Sequence, residues 1–212
     1  CARREGGIDA RARVGTGARS KRAAAVVEVR NNASMKRQQD LSCLLVALEF
    51  AAHKHRDQRR KDASASPYIN HPIALARLLA EDGGVTDAKT LVAAVLHDTI
   101  EDTDTTYDEL RAQFGKKVAD VVAEVTDDTS LPKPRRKALQ IEHAPHMSQR
   151  AALVKLADKT CNLRDVAHNP PADWPLARRR QYFDWAKAVV DALPPVSKKL
   201  RRAFDAAHAK RP

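Results

Sequence analysis

The sequence predicts an all-α, single-domain helical bundle, and three observations predict it. Apolar residues recur at helical spacing in segment after segment from residue 38 onward. No stretch alternates apolar and polar residues in the manner of a strand, and no internal repeat is visible. Aromatic residues make up only 4% of the 212-residue chain while alanine is abundant, which suits closely packed helices better than β-branched and aromatic sheets. Hydrophobic residues at 43% suffice for one packed core, and charged residues at 31% are mixed in sign, which argues against wholesale disorder.

The elements follow in order. Leu41, Leu44, Leu45 and Leu48, then Ala51 and Ala52, mark a first helix. A polar stretch from His53 to Ser66 interrupts the pattern. Pro72 suits a helix's first turn, Ile73, Leu75, Leu78 and Leu79 continue it, and Gly83-Gly84 stops it. Asp87 is placed to cap the next helix, whose Leu91, Val92, Val95 and Leu96 leave few polar faces, so this helix belongs in the middle of the bundle. Thr106 to Glu109 has the spacing of a capping box, and Gly115 ends the short helix it begins. Val118, Val121, Val122 and Val125 form another apolar face. Pro132 and Pro134 mark a loop and a new start. Ser148 caps a helix with Leu153, Val154, Leu156 and Leu163. Trp174-Pro175 opens a helix through Val190, and Pro194-Pro195 separates it from a basic C-terminal helix.

The net charge is +11. The first 34 residues hold 8 Lys and Arg against 3 Asp and Glu, so nearly half the excess lies in a Gly/Arg/Ala-rich lead. Residues 1–34 are therefore expected to be an unstructured basic lead, with the functional domain spanning 35–212. Met35 is the first methionine, and the natural domain is expected to start near it. An Arg- and Ala-rich mitochondrial presequence is the alternative for the lead. A basic charge so distributed is a weak argument for nucleic acid and equally suits a small polyanion. No aromatic platform or recognition helix stands out, so no nucleic-acid partner is expected. No apolar run is long enough to span a bilayer, so no membrane partner is expected either. Three scattered cysteines make no disulfide framework and no zinc knuckle, and the expected compartment is the cytoplasm.

Chemistry is suggested by polar residues in apolar surroundings. His97-Asp98 ends the most apolar helix, with Glu101 and Asp102 about one turn further along what reads as the same helix. Burying such groups is costly unless something pairs with them. Asp158 interrupts the apolar face of Leu153 to Lys159, and His71 stands at a helix start, where a histidine usually serves as a cap. Two imidazoles and two carboxylates without thiolates suit a divalent transition ion with positions left open for water.

Tyr68-Ile69-Asn70-His71-Pro72, His97-Asp98-Thr99-Ile100-Glu101-Asp102-Thr103 and Val154-Lys155-Leu156-Ala157-Asp158-Lys159, followed by Asn162-Leu163-Arg164-Asp165, resemble the hydrolase domain of the RelA/SpoT family within the HD phosphohydrolase superfamily. The likeness runs from about Leu44 to about Leu193. It extends to the family's stand-alone small alarmone hydrolases, metazoan and bacterial. The resemblance implies an HD-type bundle and a manganese-dependent hydrolase that removes the 3′-pyrophosphate of guanosine 3′,5′-bis(diphosphate), ppGpp. It implies one Mn²⁺ per chain held by His71, His97, Asp98 and Asp158, with Glu101 and Asp102 orienting and activating the attacking water. It places Arg60, Lys61, Lys133, Asn162, Arg178 and Tyr182 at the nucleotide, Tyr182 and Arg178 sharing a helix face on which to stack a base and hold a phosphate.

Arg135-Arg136-Lys137 and Arg201-Arg202 read as ordinary surface. Two segments depart from the family pattern: Asp62 to Ser66 replaces a glycine-containing loop, and Thr160-Cys161 replaces a bulkier pair. Both put the preferred nucleoside in question. Hydrolysis of an adenosine alarmone or of the 2′-phosphate of NADPH, and a non-catalytic nucleotide sensor, are the alternatives. The presence of Glu101 and Asp102 favours an enzyme. The sequence leaves the oligomeric state open.

Overall fold

The computed structural model describes residues 15–212. Among the described residues it is all helix: α1 (Gly15–Lys54), α2 (Asn70–Glu81), α3 (Ala88–Leu96), α4 (Thr99–Asp102), α5 (Tyr107–Phe114), α6 (Lys116–Val125), α7 (Lys133–His143), α8 (Gln149–His168), α9 (Leu176–Ala192) and α10 (Lys198–His208), with a 3₁₀ turn at Ala144–His146. No strand forms among these residues; Arg59 and Pro67 make an isolated antiparallel bridge.

The chain divides into two compact units, Cys1–Ser42 and Cys43–Pro212. In the first, residues 15–34, expected to be unstructured, are helical as part of α1, so the expected boundary at residue 34/35 falls inside a helix. Residues 1–14 of the expected lead lie outside the described residues. The second unit carries the core. α8 lies at its centre and packs against α2, α3, α6, α9 and α10. Leu75, Leu79, Val92, Val95, Leu96, Val122, Val154, Leu163, Phe183 and Phe204 are all buried in it. Burying each such side chain contributes about 1.5–3 kcal/mol.

Local chemistry sets the helix ends. Asp87 accepts from the Thr90 amide at 3.2 Å, Thr106 from Glu109 and Ser148 from Ala151, satisfying otherwise orphaned donors. The return half of the expected capping box does not form, because Glu109 is drawn to Lys54 at 3.2 Å. At Gly83 an added Cβ would lie 2.5 Å from the Leu79 carbonyl, so only glycine lets the chain turn away from α2 there.

Two expectations need correction. His97 and Asp98 do not continue α3: the helix ends at Leu96, and Glu101 and Asp102 sit on the separate single turn α4. His71 is not a cap: Ile69 occupies the cap position of α2 without a side-chain bond, and His71 turns inward and is buried.

Candidate metal and nucleotide site

The break between α3 and α4 aims the site. His97 leaves the end of α3, and its Nδ1 faces the Ala94 carbonyl at 2.9 Å. A carbonyl can only accept, so Nδ1 is the donor, and Nε2 is left facing the cavity. His71 comes from the first turn of α2 and Asp158 from the middle of α8. One ligand atom from each of His71, His97 and Asp158 lies within 4.8 Å of the others, and all three residues are buried. Asp98 joins them, its Oδ2 2.8 Å from His97 Nε2. Asp158 Oδ1 lies 3.3 Å from His71 Nε2 and 3.9 Å from His97 Nε2.

His97 Nε2 is buried without a hydrogen-bond partner, although a carboxylate stands beside it. A buried ring nitrogen with no hydrogen-bond partner, close to two carboxylates, fits a cation between them. The mixed nitrogen and oxygen donors therefore fit a divalent metal ion held by His71, His97, Asp98 and Asp158.

Surrounding groups fix these donors. Tyr68 donates its hydroxyl to Asp98. Asn162 and Lys159 donate to the two oxygens of Asp158, at 2.5 and 3.1 Å. Burial alone would raise the pKa of Asp158, but Lys159, then His71 and His97, outweigh it and hold the carboxyl well below its usual range. At Asp98 burial is likewise outweighed, here by His97, and the group is held low. Glu101 goes the other way. Desolvation pushes its pKa up to about 7, and the hydrogen bond from the Asp127 amide only partly offsets it. Asp102 is also raised, by desolvation and by the Asp98 charge.

Three cavities meet here. The central one, about 170 Å³, is lined by all four metal candidates with Glu101, Asp102, Asn162 and Arg60. On one side a cavity of about 650 Å³ takes in Arg60, Lys61, Tyr68, Asn162, Trp174 and Tyr182. On the other, a cavity of about 560 Å³ takes in Lys133, Arg136, Lys137, Arg178, Trp174 and Tyr182. Every residue expected at the site from the sequence thus lines one of three adjoining cavities. One detail changes. Arg178 stacks on Trp174, 4.4 Å from the ring centroid, and Tyr182 lies between Trp174 and Trp185.

Several lining residues were missed. Tyr68 was visible in a motif, but its hydroxyl's role needs the fold. Lys155 is buried, donates to the Val125 carbonyl at 2.8 Å, and has its pKa lowered by desolvation and by Lys159. Gln58 links buried His55 to the Asp102 carbonyl. Arg136 and Lys137, read as surface, face inward. A signal for them exists: Lys133, Arg136, Lys137 and Gln140 stand at i, i+3, i+4 and i+7, a polar stripe on a helix with no buried residue.

The HD domain pattern matches residues 47–183. The chain belongs to the HD-domain family. It is 54% identical over 154 residues to the guanosine-3′,5′-bis(diphosphate) 3′-pyrophosphohydrolase MESH1 of Xenopus tropicalis, covering 73% of this chain and 86% of the relative. To the protein of the same name from Homo sapiens it is 54% identical over 161 residues, covering 76% of this chain and 90% of the relative. Among solved structures it resembles one described as a metazoan ortholog of SpoT that hydrolyzes ppGpp and plays a role in starvation responses. There the TM-score is 0.77 and the identity 47%, covering 80% of this chain and 95% of the other. The matched HD segment, residues 47–183, contains every site residue expected from the sequence.

Proposed function

We propose that this HD-domain chain works as a manganese enzyme in which His71, His97, Asp98 and Asp158 hold the ion and Glu101 and Asp102 handle the attacking water. The reaction is that of its relatives: the chain is a ppGpp 3′-pyrophosphohydrolase, yielding GDP and pyrophosphate. The observation that carries this reading is the buried His71, His97 and Asp158 group at the junction of two basic, aromatic-lined cavities. A bound divalent ion supplies positive charge to the phosphoryl oxygens and makes water more acidic. Imidazole donors favour manganese over magnesium, which prefers oxygen.

The chain's own groups do the rest. Glu101, with a pKa near the working pH, is suited to take a proton from water through its carboxylate oxygens. The water oxygen bonds to the phosphorus next to the ribose 3′ oxygen, and the bond from that phosphorus to the 3′ oxygen breaks. The proton passes to the departing 3′ oxygen. Arg60 and Lys61 on one side, with Lys133 and Arg178 on the other, bind the phosphates. Tyr182 and Trp174 offer faces for stacking and Asn162 an amide for the ribose. No helix among the described residues is long and apolar enough to cross a membrane. Cys43 and Cys161 are free, which suits the cytoplasm.

The test is incubation with Mn²⁺ and, separately, ppGpp, its adenosine analogue and NADPH, with products resolved by ion exchange. GDP plus pyrophosphate from ppGpp is expected. Orthophosphate from NADPH alone would move the activity to another nucleotide.

A further inference from the structure

Glu101 has little to hold it on its own element. α4 is a single turn, and Asp98 at its start makes no side-chain cap. A helix of that length does not fix a glutamate's three torsions. Both carboxylate oxygens are instead held from outside. Oε2 accepts from the Asp127 amide at 3.0 Å, and Oε1 faces Arg136 Nη1 at 3.5 Å. Asp127 is itself held, because its carboxylate accepts from Gln140 Nε2 at 2.6 Å. Arg136 and Gln140 stand about one turn apart on α7, so both supports lead back to one helix.

That helix is built for the task. It has no buried residue and turns a polar stripe inward. Trp185 ties it down by donating to the Lys137 carbonyl at 3.0 Å. Arg136 Nε and Gln140 Oε1 are buried without partners. An unsatisfied buried polar group is costly, and a solvent-facing arginine would avoid that cost. Packing does not account for an arginine so placed; a fixed positive charge beside Glu101 does.

We propose that Arg136 is a positioning residue for Glu101, with Gln140 acting in the same sense through Asp127, so that α7 sets the carboxylate that receives the water's proton. The proposal rests on the reading of Glu101 given above. Arg136 fixes where that carboxylate points and keeps a counter-charge beside it; it need not touch the nucleotide.

A double-mutant cycle with the manganese-loaded full chain tests this. Arg136→Gln is expected to lower kcat for ppGpp by about 10- to 100-fold, the scale of a misplaced catalytic group, with KM and bound manganese unchanged. Arg136→Lys, which keeps the charge and loses the fork, is expected to recover part of the rate. Gln140→Leu is expected to give a smaller fall in kcat. In a Glu101→Gln background, Arg136→Gln is expected to cost nothing further. An equal loss in both backgrounds, or a rise in KM at constant kcat, overturns the proposal, since Arg136 would then act on substrate directly. Circular dichroism and metal content identify a folding failure, in which case Arg136→Lys and Gln140→Leu carry the test. If Glu101→Gln alone turns over at the wild-type rate, the reading of Glu101 fails first and the proposal with it.

Discussion

The two cavities flanking the metal site are both basic, yet they hold their charges differently. On the Arg60 side the cation is already satisfied. Arg60 reaches Asp165 at 2.5 Å and Asn162 at 3.2 Å, and its guanidinium stacks on Tyr68. Asn162 in turn bonds Asp158, so this wall is a continuous network running into the metal site. On the Lys133 side the cations face one another. Lys133 has its pKa lowered by desolvation and then by Arg178 and Lys61, and Lys137 by desolvation and then by Lys133 and Lys159. At Lys137 an aromatic face stands in for a carboxylate, with the Nζ 4.7 Å from the Trp185 ring centroid. A paired wall can orient a nucleoside, whereas mutually repelling cations are relieved by an anion. On the proposed function, both walls meet phosphate, and the second cavity gains more from its charge.

The largest expected effect is at the junction the two cavities share. Asp158→Ala should remove bound manganese and turnover together, by about 10³-fold or more, while far-ultraviolet circular dichroism stays helical. Asp98→Ala should do the same. Elemental analysis checks the metal, and retained turnover in either variant would separate the cavities from the proposed ion.

Glu101→Gln should keep the metal and lower kcat by about 10²- to 10⁴-fold. Because Glu101 acts as a base only when ionised and its pKa is about 7, wild-type kcat should fall as pH drops below that value. The same raised pKa means folding favours the protonated carboxyl. The ionised group weakens the fold progressively as pH rises from the ordinary carboxylate range through about 7. Glu101→Gln should therefore raise Tm at pH 8 and leave it unchanged at pH 4.

The contrast between the walls predicts different responses to salt. Lys133→Ala or Lys137→Ala should raise KM about tenfold, the effect of losing one charge-assisted contact, and the rise should shrink as ionic strength increases. Asp165→Asn, which loosens a cation already held in place, should change KM by less, about threefold, with weaker salt dependence. Equal salt slopes for both walls would erase the distinction between them.

The smallest effect concerns the loop that leads into the paired wall. Asp62 accepts from the Ser64 and Ser66 amides, and Ala65 stands at φ +46°, where a side chain is strained. The expected departure from a glycine-containing loop thus leaves the glycine-type backbone in place with an alanine in it. Ala65→Gly should raise stability by about 1 kcal/mol or less, read as a modest rise in Tm with kcat unchanged.

Much of this was legible in one dimension. Helix starts at Asp87, Thr106 and Ser148 follow from short side chains that satisfy nearby amides, and the stop at Gly83 follows from a backbone approach that excludes a side chain. Polar residues in apolar runs, His97-Asp98 and Asp158, announce a site because burying them alone is unfavourable. These are local facts of sequence, and the sequence by itself determined them.

Only the tertiary structure decided the rest. The break after Leu96 cannot be seen in a run that stays apolar to its end, and it is what turns His97 and Asp98 toward Asp158, 60 residues away in the case of Asp98. Arg136 and Lys137 sit in a basic run that reads as surface, because charge is normally solvated. They face inward because α9 presents Trp185 to α7 and the loop after α6 brings Asp127 beneath it. A charged stripe finds its partners only when distant segments meet, and helical spacing alone does not say which face of a polar helix will be covered.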